Sequence, residues 1–316
     1  MMRRREFIAD SLRRAAMLTG IGTGCMSLYA CTRSPKSAPK SSGSGTLRIA
    51  ALSPALAITL RDLGLTESIV ARHAWDMALD ARLPIAGDQS SLDYEVLIGA
   101  RPTHVLLEWG ERPVPDRLLG LATTHRWNVR SWSLLSYAQV RSSLSEIADF
   151  IASDMPAGQS IALTSRAEEL ASRLDLACGR REASARAGRV LLLHSVLPPA
   201  ALGPGSFHHE ILERLGGIPA LTSGNPYVQL HMEDLLDIAP DAIVLIQPRD
   251  PREVASEPAP SAWSEIERRL GAISRLSIPA VRERRIAIIS DPYSLTPSTA
   301  MIGFAEEFAS ILERWA

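Results

Sequence analysis

The chain has 316 residues, 46% of them hydrophobic, with a mean hydropathy of +0.03 and a formal net charge of −1. That length predicts about two domains with sizeable cores, and the charge excludes the basic footprint of a nucleic-acid binder. Of the three cysteines, Cys25, Cys31 and Cys178, two fall near the N-terminus in an expected leader, so no disulfide framework is implied for the rest.

Residues 1–31 read as a targeting segment. Arg3-Arg4-Arg5-Glu6-Phe7-Ile8 resembles the core of a twin-arginine export signal, an address read by a receptor. The weakly apolar run from Ala15 to Ala30 is too short and too rich in small residues for a membrane-spanning helix. Leu28-Tyr29-Ala30-Cys31 resembles a bacterial lipobox, which makes Cys31 the expected lipidation site; ordinary cleavage near Ala30 is the alternative. The expected location is the periplasm or cell envelope, with membrane contact through a lipid anchor only. Residues 32–46, rich in Ser, Pro, Lys and Gly and without apolar period, read as a flexible tether. Removing residues 1–31 leaves 29 basic and 33 acidic residues. That balance of −4 suits neither nucleic acid nor an anionic lipid surface.

From residue 47 the pattern is α/β. In 47–135, Leu47–Leu52 reads as a strand, followed through Pro54 by a helix ending near Gly64. Ser68–Ala71 is a second strand, Arg72–Asp76 a loop, and Val105 opens a buried strand with Glu108-Trp109-Gly110 just past it. Pro115–His125 reads as a helix and Trp127–Trp132 as a last strand. Residues 136–187 form a helical connection. Within it, Leu163, Ala167, Leu170, Leu174 and Ala177 fall at steps of four and three, one apolar stripe on a helix from Gln159 to Cys178. In 188–316, Arg189–His194 is a strand, His194–His209 a Pro- and Gly-rich loop, Gly224–Tyr227 a turn, and Arg249–Ser261 an exposed loop. A helix over Ile266–Leu276, a strand over Arg285–Ile289 and a closing helix over Ala300–Trp315 complete the chain.

The two halves repeat. Glu95 and Glu233 each stand near a helix start, with apolar residues two, three and five places on, a Pro seven places on (Pro102, Pro240), then a continuous apolar run. Proline ends each short helix, and the runs have the composition of parallel strands covered on both faces. The expected fold is therefore α/β, two Rossmann-like lobes joined by a single long connecting helix.

At this point the chain resembles a known family. Leu52-Ser53-Pro54, the paired Glu-to-Pro segments and the long helix between two lobes are similar to class III periplasmic binding proteins, the substrate-binding components of ABC importers for cobalamin, ferric siderophores and haem. The resemblance spans Leu47 to the C-terminus. The cobalamin-binding branch is the best match: Trp109 follows the Val105 strand, where that branch also places a Trp, and Tyr227 precedes Glu233 where it places another aromatic. The Arg72–Asp76 loop lacks the family's Tyr-Pro pattern, and the His194–His209 loop has no clear counterpart.

The resemblance implies that Glu95 and Glu233 dock on arginines of an ABC permease working with its ATPase, where bidentate pairing would add orientation. From spacing alone, each Glu would do no more than complement its helix dipole. A monomer is the expected state. Trp75, Trp109 and Tyr227 are candidate walls for a large flat ligand. His194, at a strand end, is a candidate cleft contact or axial ligand to cobalt or iron, and His208 a candidate cap or cleft contact. Arg72, Arg112 and Arg249 would suit an anionic siderophore. The favoured cargo is a corrinoid, a cobalt chelate, ahead of a ferric siderophore or haem, with no resident cofactor or metal. A metal-dependent exported hydrolase using His208, His209 and Glu210 is the alternative of another class. Neighbouring residues on one helix point apart, and the chain has no Gly-x-Ser-x-Gly, His-Glu-x-x-His or Gly-x-x-x-x-Gly-Lys-Ser/Thr motif.

Overall fold

The computed structural model describes residues 46–251 and 262–316. The export signal, Cys31, nearly all of the expected tether and most of the Arg249–Ser261 loop lie outside the described residues.

The first lobe begins with strand β1 (Ile49–Leu52) and helix α1 (Pro54–Asp62). Ser53 caps that helix, its Oγ accepting from the Ala55 and Leu56 amides, and Pro54 opens it with no amide left to satisfy. Then come β2 (Ile69–Arg72), α2 (Tyr94–Ala100), β3 (His104–Leu107), α3 (Asp116–His125) and β4 (Asn128–Ser131). All four residues of β3 are buried, as its apolar run requires. Two helices follow, α4 (Tyr137–Ala152) and α5 (Ala157–Ala177). Every residue of the expected stripe on α5 is buried, together with Ala171.

The second lobe holds β5 (Arg189–Val196), β6 (Pro199–Leu202), α6 (Phe207–Arg214), β7 (Ile218–Pro219), β8 (Tyr227–Gln229), α7 (Met232–Ile238) and β9 (Ala242–Ile246). It closes with α8 (Trp263–Leu270), α9 (Pro279–Arg282), β10 (Ile286–Ile289) and α10 (Met301–Arg314).

The repeat is topological as well as sequential. The first sheet is parallel in the order β2-β1-β3-β4. In the second, β7 pairs with β5, β5 with β9 and β9 with β10, all parallel, which is the same order again. The two Glu-bearing helices end alike: Arg101 and Ala239 take left-handed conformations, φ 47° and 42°, immediately before Pro102 and Pro240. A left-handed residue closes the helix, and the proline forbids its continuation.

Two expectations are corrected here. The supposed His194–His209 loop contains a β-hairpin: β5 runs on to Val196, turns at the cis Leu197–Pro198 bond, and returns as antiparallel β6. Tyr227 is not in a turn but opens β8, which pairs antiparallel with β6. The prolines concealed both, since Pro199 is tolerated only as the first residue of its strand.

One core cluster joins the lobes. It includes Ile49, Leu56 and Leu106 from the first lobe, Leu144, Leu170 and Leu174 from the connecting helices, and Val190, Phe304 and Phe308 from the second. Polar ties reinforce it. The Tyr137 amide donates to Glu210 at 2.9 Å, Arg166 Nε to the Asp62 carbonyl at 3.0 Å, and the Thr299 hydroxyl to Asp62 at 2.6 Å.

Candidate functional site

Open parallel sheets bind ligands beyond the carboxyl ends of their strands. In this chain the loops from the two carboxyl edges meet. The Tyr293 hydroxyl, on the loop after β10, donates to the Met77 carbonyl on the loop after β2 at 3.3 Å, and the Arg61 guanidinium lies 5.3 Å from the Tyr293 ring centre. The space flanking this contact is the candidate cleft.

On the first-lobe edge, Trp75 is 63% exposed and meets His73 edge-on at 5.8 Å. His73 is fully buried. Its Nδ1 accepts the Trp75 amide at 3.1 Å and its Nε2 has no hydrogen-bond partner among the described residues. Burial holds it below the usual histidine range, against the opposing influence of Asp88 and Asp76. Trp109 is half-buried, its amide donating to Ser131 Oγ at 3.0 Å, with the Arg112 guanidinium stacked 4.4 Å over its ring. Glu108 lies between strand and Trp109, accepting from Ser53 Oγ at 2.5 Å. Burial pushes its carboxyl above the usual range, partly offset by the serine bond.

On the second-lobe edge, Tyr227 is 54% exposed and its ring lies 6.1 Å from His194, whose buried Nδ1 has no hydrogen-bond partner among the described residues. His208 sits inside. It is stacked on Phe207 at 3.7 Å, meets Phe304 edge-on, and its Nε2 binds the Ser294 carbonyl at 2.7 Å. Burial lowers it to about 4, so it is neutral and held by core packing rather than presented on an open surface. His209 turns elsewhere, to the Leu221 carbonyl and Glu213. Among the described residues no group of three or more His, Cys, Asp or Glu side chains is placed to hold a metal ion. Cys178 is buried, its thiol pushed up to about 12.

No protein-family model matches the sequence, and no curated protein sequence does. Solved structures do. The periplasmic heme-binding protein BhuT, in complex with two hemes, aligns at 19% identity over 86% of this chain and 99% of its own, with a TM-score of 0.62. The periplasmic heme-binding protein HutB of Vibrio cholerae aligns at 18% identity, 85% and 99% coverage, and a TM-score of 0.62. The periplasmic vitamin B12 binding protein BtuF of Vibrio cholerae aligns at 15% identity, 85% and 97% coverage, and a TM-score of 0.58. The fold is that of a class III periplasmic binding protein.

Within the class III fold, Glu95 and Glu233 occupy the first turns of the equivalent helices α2 and α7; both are exposed and neither has an ion-pair partner among the described residues. An open concavity of about 570 Å³ lies beside α2, lined by Ala74, Asp88, Tyr94, Glu95 and Arg117 among others. All its lining belongs to the first lobe, so it is separate from the space between lobes. Sequence reasoning missed Glu108, His73 and Tyr293. The signal for Glu108 was a carboxylate directly after a fully buried strand; Tyr293 offered none, because its contact spans 216 residues.

Proposed function

We propose that this chain is the substrate-binding component of an ABC importer, exported to the periplasm or cell envelope. It captures a metal chelate, a corrinoid, between its lobes and delivers it to a membrane permease driven by a partner ATPase. The cobalt chelate is cargo, so the proposal includes no catalytic residue and no resident cofactor. Export through the twin-arginine signal, anchoring at Cys31 and a monomeric state complete it.

The state of the arginines carries the ligand class. Arg72 gives its guanidinium to the carbonyls of His73, Asp76 and Ala81. Arg112 covers the Trp109 ring and donates to the carbonyls of Trp109 and Gln89. The Arg249 charge acts on the Glu307 carboxyl. Cations already engaged by protein are a poor reserve for a polyanionic siderophore. Exposed Trp75 and Tyr227 instead offer flat faces to a large ring with few obligatory polar partners.

Haem is the second reading, supported by one observation: the His194 ring, its buried Nδ1 without a hydrogen-bond partner among the described residues, lies beside Tyr227, and imidazole and phenolate both ligate haem iron.

The exposed carboxylates of Glu95 and Glu233, one per lobe and without an ion-pair partner among the described residues, form a two-point footprint for permease arginines. Reversing both charges, Glu95→Arg with Glu233→Arg, is expected to abolish uptake by whole cells while leaving chelate affinity of the purified protein unchanged. Undiminished uptake contradicts the docking assignment.

A further inference from the structure

Glu108 has no counter-ion among the described residues, although it is withdrawn from water. It follows β3 directly, as Ser53 follows β1, and the Leu52–Leu107 register sets the two side by side at the carboxyl edge. Side chains alternate along a strand. Ser53 and Glu108 therefore share the face of Ala51 and Leu106, which belong to the core continuing into the second lobe.

The Ser53 hydroxyl is fully used. It accepts the amides of Ala55 at 3.1 Å and Leu56 at 3.3 Å, and its single proton goes to Glu108 Oε2 at 2.5 Å. That proton fixes Oε2 as an acceptor. Glu108 Oε1 is left without a protein donor among the described residues. Oε1 is not among the fully buried unpartnered atoms, so it stays open to an incoming donor while Oε2 is committed to Ser53. The N-terminus of α1 favours the charged form, so the group keeps an acceptor's character although burial raises its titration range.

We propose that Glu108, oriented by Ser53, is a specificity-determining residue of the ligand site, accepting a hydrogen bond from a carboxamide N–H of the bound chelate and disfavouring chelates that present a carboxylate there. The assignment rests on the cleft being the ligand site, and it deepens that reading by naming the polarity of the cargo's rim. A corrinoid is rimmed by carboxamides, which donate. Haem carries propionates, which bring like charge against Glu108, and rejection of the wrong partner is half of specificity.

The orientation gives a test that a packing role would not pass. In Glu108→Gln, the Ser53 proton still needs an oxygen, so the amide oxygen turns to Ser53 and its NH₂ faces the ligand. The polarity offered to the chelate is thereby reversed at nearly constant shape. The full exported protein is titrated with cyanocobalamin and, separately, with haemin, followed by tryptophan fluorescence, for wild type, E108Q and E108A. Thermal unfolding of each confirms the fold.

The expected result is that wild type prefers cyanocobalamin. E108Q loses about tenfold or more in cyanocobalamin affinity and gains haemin affinity by a similar factor. E108A loses cyanocobalamin affinity. Folded variants that bind both chelates within about threefold of wild type overturn the role of Glu108 and leave the receptor reading standing. Wild type that binds neither chelate overturns the Glu108 assignment and the corrinoid and haem readings of the cleft; the receptor reading itself falls only if a ferric siderophore also fails to bind. Should E108A fail to fold, the near-isosteric E108Q decides.

Discussion

His208 illustrates how burial sets the chemistry of a residue. It is enclosed by Phe207 and Phe304, one ring nitrogen is bonded to Ser294, and its titration is lowered to about 4 from an ordinary 6.5. Above 6.5 it is neutral in both folded and unfolded chains and pH has no leverage through it. Between 6.5 and about 4 the unfolded chain takes up the proton more readily, so stability falls as pH falls. Each unit of depression corresponds to about 1.4 kcal/mol. His73 and His104, also lowered by burial, act in the same direction. Urea unfolding of wild type and His208→Gln at pH 7 and pH 5 checks this: the wild-type midpoint should drop further on acidification. Equal drops would contradict the assignment.

At the scale of elements, α5 shows how much a sequence discloses and where it stops. Its apolar stripe predicts a buried face, and Leu163, Ala167, Leu170, Leu174 and Ala177 are all buried. Leu174→Ala should cost about 2–5 kcal/mol through lost transfer energy and the cavity left behind. Arg173→Ala, on the exposed face, should stay within about 0.5 kcal/mol. Chemical denaturation of both variants measures the contrast, and equal effects would refute the packing account.

The Glu-to-Pro segments were legible for a similar reason. Helix punctuation and buried-strand runs are local signals, and both segments fold as expected. The β5–β6 hairpin was not legible. Pro198, Pro199 and Gly203 are loop-forming residues by local rule, and only the ladder to β8 makes the return stretch a strand. Candidate site residues divided along the same line. Trp75 was read as an aromatic in a loop and Tyr227 as one in a turn, and both stand exposed. His208 is also an aromatic polar residue beside a loop, but long-range packing from α10 draws it inside. Glu108 carried a local signal, a carboxylate directly after a buried strand, but its pairing with Ser53 needed the register between β1 and β3, which no local pattern contains.

At the scale of the whole molecule, the connection between lobes is a packed layer rather than a free hinge. A single core cluster runs from Ile49 through Leu170 to Phe308, and Asp62 is tied to both Arg166 and Thr299. Opening the lobes widely would expose that shared core. Small domain movement is therefore expected on binding, in contrast to wide hinge closure. Small-angle scattering with and without saturating chelate should show nearly superimposable curves; a large compaction would contradict a stiff connection.

The central proposal is that the two edges enclose a metal chelate, and a calorimetric titration of the protein with cyanocobalamin tests it most directly. The account predicts saturable one-to-one binding tighter than about micromolar, which is more than about 8 kcal/mol of free energy. An absence of binding to cyanocobalamin, to haemin and to a ferric siderophore alike would contradict it.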